Sequence, residues 1–347
     1  MAPKIITTRD GSRSVFSNRF QQHYHNIAGA LTESRNVFFD NTGLSRALAE
    51  HRDITLVEVG FGTGLHVALL ECMRKRTGSR SQVHYYSVEK FPLEGDVIRR
   101  MDFGRICPGI NEVVGRIADA LYEARDGESV SATIPPHQEA DGGKGLLPQP
   151  DNPAEKVAGL LEASENDENS GPDASSENTS STGVTESSDP ADTSYNCNQG
   201  GSSDNPKSGG SSKKPGRTET TLPAGTPFTR VEVFRNDFHD WDLLVLNRPA
   251  QIILHDAFSP DTNPDLWTVA TFRKLLEAAD PHAMLGTYCS ATRARAAMIL
   301  GGWHVGRVQG PPGKREVTVA SPDEAMLSGF KGVNEELLVK RFREELS

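Results

Sequence analysis

Residues 54–75 read ITLVEVGFGTGLHVALLECMRK: an apolar, β-branched run, three glycines separated by single residues, then apolar positions at helical spacing. A strand that enters a helix through glycines turns tightly and aims the helix's free N–H groups at whatever lies beyond the strand tip. Further alternation follows. VHYYSVEK (83–90) reads as a strand, and LEGDVIRRM (93–101) and INEVVGRIADALYEA (110–124) read as helices. RVEVFRND (230–237), QIILHDAF (251–258) and AMLGTYCS (283–290) read as strands, with helices at 264–279 and 291–302. WHVGRVQG and REVTVAS read as a closing antiparallel pair. The pattern predicts an α/β chain: a doubly wound, Rossmann-like sheet, mostly parallel and covered on both faces, ending in a hairpin.

The alternation is interrupted. Residues 130–227 are rich in Ser, Asn, Gly and Asp, with 15 acidic and 6 basic residues, and account for most of the formal net charge of −10. Such a segment buries too little apolar area to offset its ordering entropy, so it is expected to be disordered, with one short helical stretch at 154–163. It reads as a solvated spacer or as an acidic docking segment for a protein partner. The expected organisation is therefore a lid segment and first half-domain at 1–129, the insertion at 130–227, a second half-domain at 228–321 and a helical tail at 322–347. Outside the insertion the charges nearly balance, so nucleic-acid binding would need a local cationic patch rather than a bulk field.

Four cysteines (Cys72, Cys107, Cys197, Cys289) form no CxxC pair and have no His at metal-ligand spacing, which argues against a disulfide framework and a structural zinc. No apolar run is long enough to span a bilayer, and the first residues lack a secretory core. A cytoplasmic setting is the simple expectation. A few Arg and Ser residues near the start leave an organelle-targeting role open.

Glycine spacing separates two cofactor classes. A dinucleotide loop wants G-x-G-x-x-G, but the third position from Gly60 and Gly62 is Leu65. The observed Gly60, Gly62, Gly64 triplet, with Glu58 on the strand before it, is the form usual for S-adenosylmethionine; a merely tight turn is the alternative. Glu89 ends the second strand, where an acid can accept both hydrogen bonds of a ribose diol. A surface Glu paired with Lys90 is the other reading. Asp237 ends the next strand and Asp256 the one after. Four acids at successive strand ends argue more strongly than any one, because ligands of open α/β sheets bind outside those ends.

GFGTGLH, SVEKFPL, ND, HDAFSPDTNPDLW and GPPGKRE, in that order, together with VFSNRF…GALTESRNVFF (15–39), resemble the methyltransferase domain of the tRNA-modifying MnmC family. The likeness covers roughly 5–125 and 228–320. It implies a class I methyltransferase fold, S-adenosylmethionine as cofactor and tRNA as substrate. The implied reaction methylates the amine of 5-aminomethyl-2-thiouridine at the wobble position. It also implies cofactor roles for Glu58, Gly60, Gly62, Gly64, Glu89, Lys90 and Asp237, and a catalytic role for Asp256. Ala257 departs from the family's glycine. The flavin-dependent oxidoreductase domain of bifunctional members is not expected here, nor is a metal.

Asp256 is read as the group that holds the amine and takes its proton, and Phe258 as a ring that stacks on the pyrimidine or walls the pocket. Pro260 stiffens the loop that presents both. Lys314 and Arg315, with Arg293 and Arg295, form either an RNA-facing patch or a solvated turn. His23, Tyr24 and His25 are candidates to line the cleft, and Glu33 to close it. His255 should face the other side of its strand and pack there. Two further functions stand beside tRNA methylation: methylation of another amine, and a non-catalytic scaffold working through the acidic loop.

Overall fold

The computed structural model describes residues 3–135, 223 and 225–345. The 154–163 helix and nearly all of the 130–227 insertion lie outside them. The strand Ile54–Val59 (β4) is buried at all six positions, as a strand covered on both faces must be. It pairs in parallel with Gln82–Glu89 (β5) on one side and Ala250–His255 (β8) on the other. Beyond β5 lies Phe228–Arg235 (β7), and beyond β8 lies Ala279–Thr287 (β9), both parallel. The expected hairpin is His304–Gln309 (β10) with Glu316–Ser321 (β11), antiparallel to each other, and β11 runs antiparallel to β9. Lys331–Gly332 (β12) completes that edge. The chain therefore leaves β4 in one direction through β5 and in the other through β8 and β9. That reversal opens a crevice at the carboxyl ends of β4 and β8.

One boundary needs correction. Residues 130–134 do not belong to a disordered insertion: Ser129–Ile134 (β6) pairs antiparallel with β7 in six-residue register, closing the other edge of the nine-stranded sheet. Its alternating exposure marks an edge strand with one wet face, a signal too weak to separate from the polar sequence that follows.

Period-two alternation sends Ile54 and Leu56 of β4 to one face and Val57 and Val59 to the other. The first face is covered by Leu65–Thr77 (α3) and Ile110–Glu123 (α5), whose Ile110, Val114, Ile117, Ala118 and Leu121 form one apolar stripe. Val269–Glu277 (α6) and Thr292–Leu300 (α7) cover the second. The Thr268 side chain caps α6 by accepting the Thr271 N–H at 3.2 Å. A buried polar knot ties the half-domains together: Arg74 of α3 donates to Thr229 Oγ1 of β7 and to the Ser81 carbonyl at 2.8 Å, beside Glu71. The N-terminal strands Ile5–Thr7 (β1), Arg13–Ser17 (β2) and Gln22–His23 (β3) form a separate small antiparallel sheet. Among the described residues no helix is long and apolar enough to cross a membrane.

Candidate active site

The crevice is a cavity of about 460 Å³, within the range of small-molecule sites. Glu58, Gly60, Gly62, Glu89, Lys90, Asp237, Asp256, Phe258 and Lys314 all line it, although they come from five separate stretches of chain. Gly60 has φ +95°, and a Cβ there would stand 3.3 Å from the Asp256 carbonyl oxygen, so the two loops pass closely because this residue is glycine. Gly62 (φ +55°) donates its N–H to Glu89 Oε2 at 2.9 Å, and Phe91 N–H reaches Glu89 Oε1 at 2.8 Å. Glu89 thus braces the glycine loop while retaining acceptor positions on its carboxylate. Lys90 pairs with Asp237 at 2.5 Å rather than with Glu89. Burial works to raise the Asp237 pKa, but the Lys90 hydrogen bond and the His239 N–H outweigh it and leave it lowered.

Several readings change. Gly64 does not line the cavity: it has φ +73° at the start of α3, and a side chain there would collide with Val114 and Phe61. Its glycine serves packing beneath the loop. Glu58 lines the cavity floor but is 1 % exposed, with its carboxylate turned to His66 Nδ1 (2.6 Å) and Ser87 Oγ (2.9 Å). Pro260 is buried and lies off the cavity. Lys314 does not face outward. Its ammonium meets Glu33 at 2.7 Å and sits 4.0 Å above the Tyr288 ring, inside the cavity. Arg295 is buried against Glu316 and Arg293 pairs with Asp261, so of the four cations proposed for RNA Arg315 is the one that stands exposed and off the cavity, with no ion-pair partner among the described residues.

Asp256 ends β8 on the same face as Glu58, while His255 points the other way into Trp267 and Phe272 and bonds the Leu266 carbonyl at 2.9 Å. Burial lowers the His255 pKa to about 4, so it stays neutral. The loop after Asp256 is held twice: Tyr288 donates its hydroxyl to the Ala257 carbonyl at 2.8 Å, and Trp267 Nε1–H donates to the Phe258 carbonyl at 2.7 Å. One face of Phe258 is already covered by Phe20, with centroids 4.3 Å apart and planes 24° from parallel, and Tyr24 meets it edge-on. Phe258 is therefore a wall with a lid over it. Gln22 latches that lid by donating to Ser259 Oγ and Thr262 Oγ1, both at 2.7 Å.

Burial pushes the Asp256 carboxyl up to about 8; the His66 imidazole pulls it back, and the Glu58 and Glu33 carboxylates reinforce the rise. A folded-state pKa above the ordinary 3.8 means that the folded protein keeps a proton which the unfolded chain has released. The associated stability is complete below the ordinary value and lost as pH rises through about 8. Asp256→Asn removes this loss. Its melting temperature is expected to gain on the wild type by at least ~2–4 °C between pH 5 and pH 8.5, the shift that ~1 kcal/mol gives in a domain of this size. A difference that stays constant across that range would refute the raised carboxyl.

Residues 229–323 match a family described as S-adenosyl-L-methionine-dependent methyltransferase. The chain carries an S-adenosyl-L-methionine-dependent methyltransferase domain. The matched residues include Asp237 and Asp256; the glycine loop lies outside them but closes the same cavity. The chain is 25% identical over 320 residues to the tRNA 5-methylaminomethyl-2-thiouridine biosynthesis bifunctional protein MnmC of Burkholderia multivorans, covering 92% of this chain and 35% of that protein. Against the MnmC of Caulobacter vibrioides it is 34% identical over 101 residues, covering 29% of this chain and 17% of that protein. It spans about a third of the length of the Burkholderia relatives it matches. The crystal structure of MnmC2 from Aquifex aeolicus superposes with a TM-score of 0.51 at 19% identity, covering 99% of this chain and 76% of that one, which supports the same fold. The methyltransferase cavity suits its cofactor: the positive-φ glycines open the α3 N-terminus, and carboxylates stand at the β5 and β7 tips.

Sequence reasoning missed His66 and the covering role of Phe20. The sequence marks 65–75 as a helix and gives its histidine no role, although His66 stands only two residues after Gly64 and is buried.

Proposed function

We propose that the chain methylates a primary amine, the aminomethyl group of 5-aminomethyl-2-thiouridine in tRNA, giving the methylaminomethyl form. The observation that carries this reading is Asp256, a half-buried carboxyl lining the cavity beside His66, with its pKa raised to about 8. An alkylammonium has no lone pair and must lose one proton before it can attack. An ordinary carboxylate is a poor acceptor for that proton, whereas one raised toward neutrality is better matched to the amine.

S-adenosylmethionine, when bound, supplies a methyl group activated on a sulfonium. Gly60, Gly62, Glu89 and Asp237 are assigned to holding it, through loop N–H groups and strand-tip carboxylates. Asp256 orients the amine and accepts its proton, Phe258 and Tyr24 wall the reacting end, and the latched N-terminal sheet excludes water. The tRNA substrate is the one in the relatives' names, carried to this chain as part of the proposal.

Purified protein incubated with methyl-labelled S-adenosylmethionine and undermodified tRNA, followed by nucleoside mass spectrometry, tests this. Label on methylaminomethyl-uridine is expected. Label appearing only on a small-molecule amine would overturn the tRNA assignment and retain amine methylation.

A further inference from the structure

His66 lies one layer below the reacting carboxylate. Its side chain is 2 % exposed; Nδ1 is 2.6 Å from Glu58 Oε1, while Nε2 is 3.2 Å from Ser34 Oγ and 4.0 Å from Asp256 Oδ2. Glu58 is itself fixed by the Ser87 hydroxyl, so Nδ1 carries a hydrogen and donates it. The second nitrogen faces Asp256. Backbone geometry dictates the line-up: β4 and β8 run parallel in register, period-two alternation turns Glu58 and Asp256 to the same face, and α3 lies on that face.

The charges around this line are unbalanced. Glu58 comes from β4, Glu33 from Ala30–Ser34 (α1), and Lys314 from the turn before β11, where it is committed to Glu33. His25, after β3, bonds Thr63 Oγ1 at 2.6 Å and is held neutral by burial and by the His66 charge, with its pKa lowered to about 3. The Tyr85 and Tyr288 phenols are also raised by burial and stay neutral. Glu58 and Asp256 are left with His66 as the one titratable cation between them among the described residues.

We infer that His66, clamped by Glu58, is a positioning residue whose imidazolium favours the carboxylate form of Asp256 against the burial and the neighbouring carboxylates that oppose it. The inference deepens the reading of Asp256 as the group that meets the amine, and rests on it. Burial works to lower the His66 pKa, but the hydrogen bond and charge of Glu58, with Asp256 and Glu33 behind them, outweigh it and leave it raised. Transfer then balances simply. The amine N–H bond breaks as an O–H bond forms on Asp256, while His66 keeps its proton throughout.

Two readouts test it. In ligand-free protein, nitrogen NMR of the His66 ring should show both nitrogens protonated at pH 7, and Asp256→Asn should move the titration to lower pH. In His66→Gln, which keeps a donor but loses the charge, the acid limb of the methyl-transfer pH profile should move up by about 1–3 pH units, as expected for loss of an opposite charge at this range. The rate at high pH should recover towards wild type. A neutral His66 at pH 7, a titration unmoved by Asp256→Asn, or an unshifted acid limb would each overturn the inference. Because the NMR needs no methyl transfer, coupling seen in a protein that methylates no amine would support the charge pairing and count against the proposed function alone.

Discussion

Asp256→Asn is expected to slow methyl transfer by about 10²–10⁴-fold, the range for loss of a positioned general base. S-adenosylmethionine binding should stay within a few-fold of wild type. The substitution keeps the size and one hydrogen-bond acceptor of the carboxyl, so it leaves the loop braced by Tyr288 and Trp267 in place. What it removes is the capacity to take a proton. Single-turnover transfer, with cofactor affinity measured by calorimetry, separates the two. A rate within threefold of wild type would mean that Asp256 only braces the loop and that the proton leaves by another route. A matching loss of cofactor affinity would place Asp256 in the cofactor site instead.

The second large effect is on stability. Arg74→Ala should destabilise the fold by about 3–5 kcal/mol, because it leaves the Glu71 carboxylate, 0 % exposed, without its paired guanidinium. The same guanidinium reaches Thr229 of β7 and the Ser81 carbonyl before β5. Chemical denaturation read by tryptophan fluorescence checks this. A loss below about 1 kcal/mol would show that the knot is dispensable. The knot joins α3 to the strand that resumes the fold after the insertion, so the variant should also raise cleavage by protease near residues 226–235. Arg74→Lys, which keeps the charge but not the fork, should fall between the two.

Much of the site was legible before any coordinates. The glycine spacing, the acids at strand ends and the two prolines of the Asp256 loop all follow from local chemistry: strands end where polar residues begin, and ligands bind outside their carboxyl ends. The misreadings share a cause. Lys314 and Arg315 are neighbours in a turn and looked equivalent, yet one meets Glu33 from far along the chain and the other faces solvent. Phe258 reads from the sequence as a ring that stacks on the pyrimidine or walls the pocket, and which of the two depends on Phe20, which covers one face. The strand at 129–134 was hidden because an edge strand beside polar sequence has half the apolar signal of a central one.

The sequence by itself determined the α/β alternation, the parallel core with its closing hairpin, the cofactor class and the side of β8 on which Asp256 stands. Each depends on residue type and on a period of two or 3.6, which the chain carries locally. Only the tertiary structure decided which polar groups meet. Glu58 with His66, Lys314 with Glu33 and Arg74 with Thr229 are pairings between separate elements, set by strand order and packing. Burial then turned those pairings into a raised Asp256 and a charged partner beneath it, because desolvation acts on a carboxylate only once the fold has taken it out of water.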